Sequence, residues 1–241
     1  MGLCVCTDKE TGTMEEVKVG DLRSTVFEED TGLKDGNDYA NIGQLHDVLK
    51  PMLMFTVAVN KPEDIECLGL TLDFLDGVTG YICRVHDEGL MARWNQSALE
   101  DEVVVAGDYI VDVRGGASAR EQGIAAKMNV AGKLMFVIAR PRLFQVKVAK
   151  LADSSTGAGC GTLGVDLSCK STTNTLVIQQ MREGPLMEWN RAHPERAVQL
   201  GDRILSADGV VGDANALPVM EYISKSVVGQ VLTLHLSRPN L

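Results

Sequence analysis

Three sets of residues in this chain have types and spacings that could do chemistry. The first is glycine-rich: Gly159, Gly161 and Gly164 stand at the spacing G-x-G-x-x-G, with Cys160 between the first two. Such a run cradles a pyrophosphate when it lies between a strand and a helix N-terminus. Here the residues that follow, VDLSCKSTTN at 165–174, read as strand and turn. No βαβ unit is in sight, so no nucleotide cofactor is expected. The second set is the six cysteines, at 4, 6, 67, 83, 160 and 169. They form no CxxC and no even framework, which fits reduced thiols better than disulfides. Cys160 and Cys169 could approach one another, but no paired His or Cys motif accompanies them, and no HExxH or DxDxDG occurs. No metal site and no enzymatic activity are expected. A redox or nucleotide-linked enzyme centred on Cys160 stands as the outlying alternative.

The third set is the opening hexapeptide, MGLCVC. Gly2 after the initiator methionine is what N-myristoylation requires, although Cys6 stands where serine or threonine is usual. One myristoyl chain binds a membrane only marginally, and stable attachment takes a second signal. Acylation of Cys4 and Cys6 would supply it. The expectation is a cytoplasmic protein held peripherally on the inner face of a membrane.

Charge narrows the partners. The net charge is −10, so a nucleic-acid backbone is not an expected partner. Residues 1–50 carry 11 acidic and 5 basic residues, a net of −6, against a net of −4 for the rest. Residues 1–36 therefore read as an acidic, disordered arm. Residues 37–50, NDYANIGQLHDVLK, read as an amphipathic helix capped by Asn37 or Asp38 and ended by Pro51. Tyr39, Ile42, Leu45, Val48 and Leu49 share one face, expected to dock on the domain that follows.

The elements that must position any site come from a repeat. Residues 88–95 read EGLMARWN and residues 183–190 read EGPLMEWN, with the chain's two tryptophans, Trp94 and Trp189, in the same place. Upstream, Leu68-Gly69-Leu70 parallels Leu163-Gly164-Val165; downstream, Gly107-Asp108-Tyr109-Ile110 parallels Gly201-Asp202-Arg203-Ile204. Each copy closes on an apolar strand and an Arg-Pro pair, LMFVIARP at 134–141 and VLTLHLSRP at 231–239. The repeat is domain-sized rather than solenoid-sized. It divides the chain into 52–142 and 143–241, with Pro141 to Leu143 as the connection. Each copy gives strands, a short helix carrying the Trp-Asn pair, a further strand, a longer helix (118–128 and 216–226) and a closing strand. The expected class is mainly β with α: two small, partly open barrels, each capped by two helices. The tryptophans are expected as core anchors, and Asn95 and Asn190 as helix-end residues.

This ordered set resembles the PDZ family, twice in tandem over residues 52–241. The resemblance implies a loop whose backbone N–H groups hold the terminal carboxylate of a partner protein, with the partner's chain adding as a strand beside strand two. Carried onto this sequence, the loops are Cys67-Leu68-Gly69-Leu70 and Thr162-Leu163-Gly164-Val165. Cys67 and Thr162 stand where the family has a first glycine. The groove helices would present Arg120 and Ile124 in the first unit and Pro218 and Tyr222 in the second. None of the four histidines falls in either long helix, so an apolar or mixed ligand is expected rather than a hydroxyl-bearing one.

The function these features predict is a non-enzymatic adaptor that binds C-terminal or extended peptides of other proteins, tethered to a membrane, with no small-molecule substrate and no cofactor. The alternative is a structural tandem with closed grooves that self-associates, for which the C-terminal leucine of RPNL could be a ligand.

Overall fold

The structure, a computed structural model, describes residues 54–62, 67–115, 123–152, 161–170, 172–213 and 215–241. The acidic arm, the helix expected at 37–50, Gly2, Cys4, Cys6, Arg120 and Cys160 lie outside them.

Strands form where apolar and polar residues alternate, because such a strand can bury one face and solvate the other. In β1 (Met54–Lys61), Phe55, Val57 and Val59 are buried between the exposed Met54, Thr56 and Ala58. Then follow β2 (Leu70–Asp73), β3 (Gly80–Val85), helix α1 (Leu90–Asn95), β4 (Tyr109–Gly115), helix α2 (Ile124–Lys127) and β5 (Gly132–Ala139). These strands make one antiparallel sheet in the order β1-β5-β4-β3-β2.

The second unit repeats the plan. It runs β6 (Pro141–Ala149), β7 (Leu151–Ala152), β8 (Gly161–Thr162), β9 (Val165–Ser168), β10 (Leu176–Met181) and helix α3 (Pro185–Ala192), then β11 (Arg203–Ala207), β12 (Val210–Val211), helix α4 (Leu217–Lys225) and β13 (Val231–Pro239). Its main sheet runs β6-β13-β11-β10-β9, so β2 and β9 are both edge strands at equivalent places. The fold is mainly β with a few helices, as the sequence implies. Each unit has its own core, the first around Ile82, Leu134, Phe136 and Ile138, the second around Leu176, Ile178, Leu232, Leu234 and Leu236. Each such side chain, fully buried, contributes about 1.5–3 kcal/mol.

The connection differs from the expected three-residue link. Arg140 alone separates β5 from β6, and Pro141 already pairs with Pro239 across the sheet. Proline is tolerated there because β6 is an edge strand, where a missing N–H breaks no ladder.

The repeated phrases are scaffold. The amide of Asn95 donates to the Val104 carbonyl and accepts from the Val104 N–H; Asn190 does the same with Val198. The asparagines thus bracket the segment leading to the next strand, and Asn190 lies inside α3 rather than at its end. Trp94 packs on the first core and donates its indole N–H to the Glu102 carbonyl. Trp189 packs on the second core and stacks on His193, with ring centroids 4.4 Å apart. The Gly-Asp turn and the Arg-Pro ending prove to be partners: Arg140 pairs with Asp108 and Arg238 with Asp202, each at 2.6 Å. Each arginine also lies over an aromatic ring, Phe55 and Phe144 respectively, at under 5 Å.

The two sheets meet through their outward faces. The pairing register aligns Tyr81, Tyr109 and Ala139 as a row across β3, β4 and β5, and Val177, Arg203 and Ser237 as the equivalent row across β10, β11 and β13. All six are buried. The Tyr109 hydroxyl meets the Ser237 hydroxyl at 2.8 Å. The Arg203 guanidinium lies 4.4 Å from the Tyr81 ring centroid and donates to Asp73 Oδ2 at 2.6 Å, with both ends of that ion pair fully buried. Arg203 also donates to the Thr175 hydroxyl, and Gln179 donates to the Leu75 carbonyl. Lys170 reaches Asp73 at 3.6 Å.

Candidate functional site

Each unit carries its Leu-Gly loop at the start of an edge strand. Gly69 and Gly164 take φ values of +76° and +74°, which a side chain resists. A Cβ on Gly69 would come within 2.2 Å of the Glu88 carbonyl oxygen, and one on Gly164 within 3.0 Å of the Gly184 Cα. The loop is therefore pressed against the Glu-Gly turn that precedes the Trp helix. This explains why the glycine of the repeated phrase must be there.

The contact orients the loop's N–H groups. The carbonyls of Cys67, Leu68 and Gly69 accept from Leu90, Met91 and His86 respectively. A planar trans peptide points its C=O and the next N–H in opposite directions. The N–H groups of Leu68, Gly69 and Leu70 therefore face away from α1 and β3, together, on the free-edge side. In the second unit the carbonyls of Leu163 and Gly164 accept from Leu186 and Arg182. That turns the N–H groups of Gly164 and Val165 the same way. Consecutive N–H groups converging like this form an anion-binding concavity.

The two loops differ at the position where the family has glycine. The Thr162 hydroxyl accepts the Gly164 N–H at 3.0 Å, so one of the second unit's donors is already engaged. In the first loop that position is Cys67, a half-buried thiol. A thiol elsewhere, Cys83, is pushed up to about 12, chiefly by burial, which makes it a poor nucleophile.

Beside β9 lies a cavity of about 430 Å³, walled by Thr162 and Leu163 from the loop, Val165 and Leu167 from the strand, and Met220, Ile223 and Ser224 from α4. Its floor includes Lys150, almost fully buried, whose ammonium donates to the carbonyls of Ile223 at 2.5 Å and Ser226 at 3.0 Å. A cation there compensates the negative end of α4. The cavity thus mixes apolar side chains with polar ones, Thr162, Ser224 and the carboxylate of Asp166 among them.

The helix residues on this wall differ from those expected. Pro218 is exposed in the first turn of α4. Tyr222 packs on the core and donates its hydroxyl to Asp208 at 2.9 Å. From this helix it is Met220, Ile223 and Ser224 that line the cavity. In the first unit Ile124 opens α2 and packs on the core, while Arg120 is outside the described residues. Lys150 had a signal in the sequence: it continues the inward alternation of Val146 and Val148. The glycine-rich run is followed by strand β9, as the sequence implied.

No family model and no curated protein matches this chain. Among the solved structures similar to it are two complexes. One is described as INAD PDZ45 in complex with NG2 peptide, with 17% identity, a TM-score of 0.34, and coverage of 78% of this chain and 89% of that one. The other is INAD PDZ45 with NORPA CC-PBM, with 16% identity, a TM-score of 0.35, and coverage of 78% and 93%.

Proposed function

We propose that this chain is a non-enzymatic adaptor whose two PDZ-like units receive extended peptide ends of other proteins. The observation that carries the reading is the groove of the second unit. An edge strand with a free side, a cavity beside it that includes Leu163, Leu167, Met220 and Ile223, and N–H groups at the loop together fit a chain ending in an apolar residue with a free carboxylate. The peptide would add to β9 through main-chain hydrogen bonds and place its last side chain among Leu163, Leu167 and Ile223. The equivalent loop of the first unit, with Leu68, Gly69 and Leu70, supports a second groove along β2. Acylation at Gly2, Cys4 and Cys6 would hold the adaptor on the inner face of a membrane. Metabolic labelling with an alkynyl fatty acid tests this, and label that persists in Gly2→Ala would count against myristoylation.

The test of peptide binding is a titration of the full chain with C-terminal peptides as free acids and as amides, following the amide signals of Gly69 and Gly164. Saturable shifts that need the free carboxylate are expected. The engaged Gly164 N–H favours one competing reading, in which the second groove is closed and the unit serves as structure. Thr162→Gly separates the two. It frees that donor and should tighten carboxylate binding about tenfold or more if the groove works, since a hydrogen bond to a charged group contributes about 1.5–3 kcal/mol. Absence of binding in both the parent and Thr162→Gly leaves the structural reading.

A further inference from the structure

The buried ion pair between the units sits where the two candidate grooves converge. Asp73 is the last residue of β2, the edge strand of the first groove. Lys170 lies two residues beyond β9, the edge strand of the second. They meet at 3.6 Å, and Arg203 locks Asp73 from below at 2.6 Å. The Leu-Gly loops stand at the opposite ends of β2 and β9. Each edge strand therefore starts at its own N–H nest and runs towards one shared cluster.

This fixes how two bound chains would lie. A carboxylate held in a nest leaves the rest of its chain to run beside the edge strand, away from the loop. Each strand is four residues, about 13 Å at the usual rise of a strand. The upstream ends of both peptides thus arrive together at the Asp73–Lys170–Arg203 cluster, while their carboxylates point apart. Arg203, Asp73 and the Tyr81 and Tyr109 rings are all buried in the joint, so changing it would expose an ion pair and two aromatic rings.

We infer that the tandem is built for a partner whose two tails leave a single stem: the paired C-termini of a dimeric protein, one tail for each groove. This rests on the peptide-binding reading above and adds the partner's architecture to it. A single-tailed partner would gain nothing from the fixed joint. A partner with paired tails converts its second binding event into an intramolecular one, with an effective concentration set by the short span.

The experiment uses the full chain and a synthetic probe. An eight-residue peptide ending in Val-Phe-Val, with a free carboxylate, is compared with two copies of it joined through their N-termini by a short diacid. Calorimetry reads affinity and stoichiometry, and amide shifts read which loops respond. The inference expects the joined probe to bind one-to-one, to shift Gly69 and Gly164 in the same complex, and to bind about a hundredfold tighter than the single peptide. It is overturned if the single peptide binds but the joined probe gains no more than the statistical factor of about two. It is also overturned if the joined probe bridges two protein molecules in a one-to-two complex. If neither probe shifts Gly69 or Gly164, the peptide-binding reading itself falls and takes this inference with it.

Discussion

The two units differ most where they touch. On the inward side, the copies keep the same devices: a positive-φ glycine in each loop, an asparagine bracketing the following segment, and an aspartate–arginine pair at 2.6 Å in each. On the outward side, equivalent positions carry Tyr81 and Val177, Tyr109 and Arg203, and Ala139 and Ser237. These unlike residues face each other. What a single barrel needs is repeated, and what joins the barrels is not, because two identical faces would offer either two cations or two carboxylates to one buried contact.

The largest test of that contrast removes the buried cation. Arg203→Met leaves the buried Asp73 carboxylate with only the half-exposed Lys170 at 3.6 Å as a cation, and breaking a buried pair on one side costs up to about 3–5 kcal/mol. Replacing both ends by apolar residues, Asp73→Leu with Arg203→Met, should recover most of that loss, since a well-packed apolar substitute is often neutral. Urea unfolding measures both. Trp94 and Trp189 lie in separate units, so single-tryptophan variants report each unit by itself. The two transitions should coincide in the parent and separate in Arg203→Met. A single variant that costs no more than the double one would break the contrast.

Much of this was legible in the residues. The repeat gave the number of units, and strand alternation placed β1, β11 and β13 to within a residue or two. The Leu-Gly loops fall at the starts of the edge strands, as the resemblance implied. Other features were written less plainly. The Gly-Asp and Arg-Pro motifs were both visible, but their pairing joins residues more than thirty apart and depends on β4 and β5 lying side by side. The cavity wall that α4 provides is Met220, Ile223 and Ser224 rather than Pro218 and Tyr222, because a helix rotates its face by about 100° per residue and a small shift in its start changes which residues face the cavity. The interface was the least legible. Arg203 sits on the solvent side of its strand by alternation, and only the other sheet, arriving from above, buries it.

A second test compares carboxylates. Burial raises Asp202 to about 6, opposed by the Gln199 N–H and by Arg238, and it raises Asp108 in the equivalent turn for the same leading reason. Asp112 goes the other way, held down chiefly by Arg114. For Asp202 the folded state binds its proton more tightly than the unfolded chain does. Its contribution to stability is therefore fully present below about 4, the unfolded range. It is lost as pH rises through about 6. Asp112 has the opposite sign, with stability present above the unfolded range and lost as pH falls. Carboxyl carbon shifts followed against pH should give Asp202 a midpoint near 6. A midpoint at or below the ordinary aspartate range would show that Arg238 outweighs burial.

The gentlest test sits at the same interface as the strongest. The Tyr109 hydroxyl meets the Ser237 hydroxyl across 2.8 Å, and burial holds the phenol far above its ordinary range, so it stays protonated. Tyr109→Phe keeps the ring, including its edge-on contact with Tyr81 at 5.2 Å, and removes one neutral hydrogen bond. The expected cost is about 1–2 kcal/mol, the upper end reflecting the Ser237 hydroxyl left without its partner. Ser237→Ala should cost about the same, and the double variant should cost little more than either alone, because both remove the same bond. Additive losses in that cycle would mean that the two hydroxyls do not depend on each other. A loss as large as that of Arg203→Met would mean that the units are held by close packing across the whole face rather than by the ion pair at its edge.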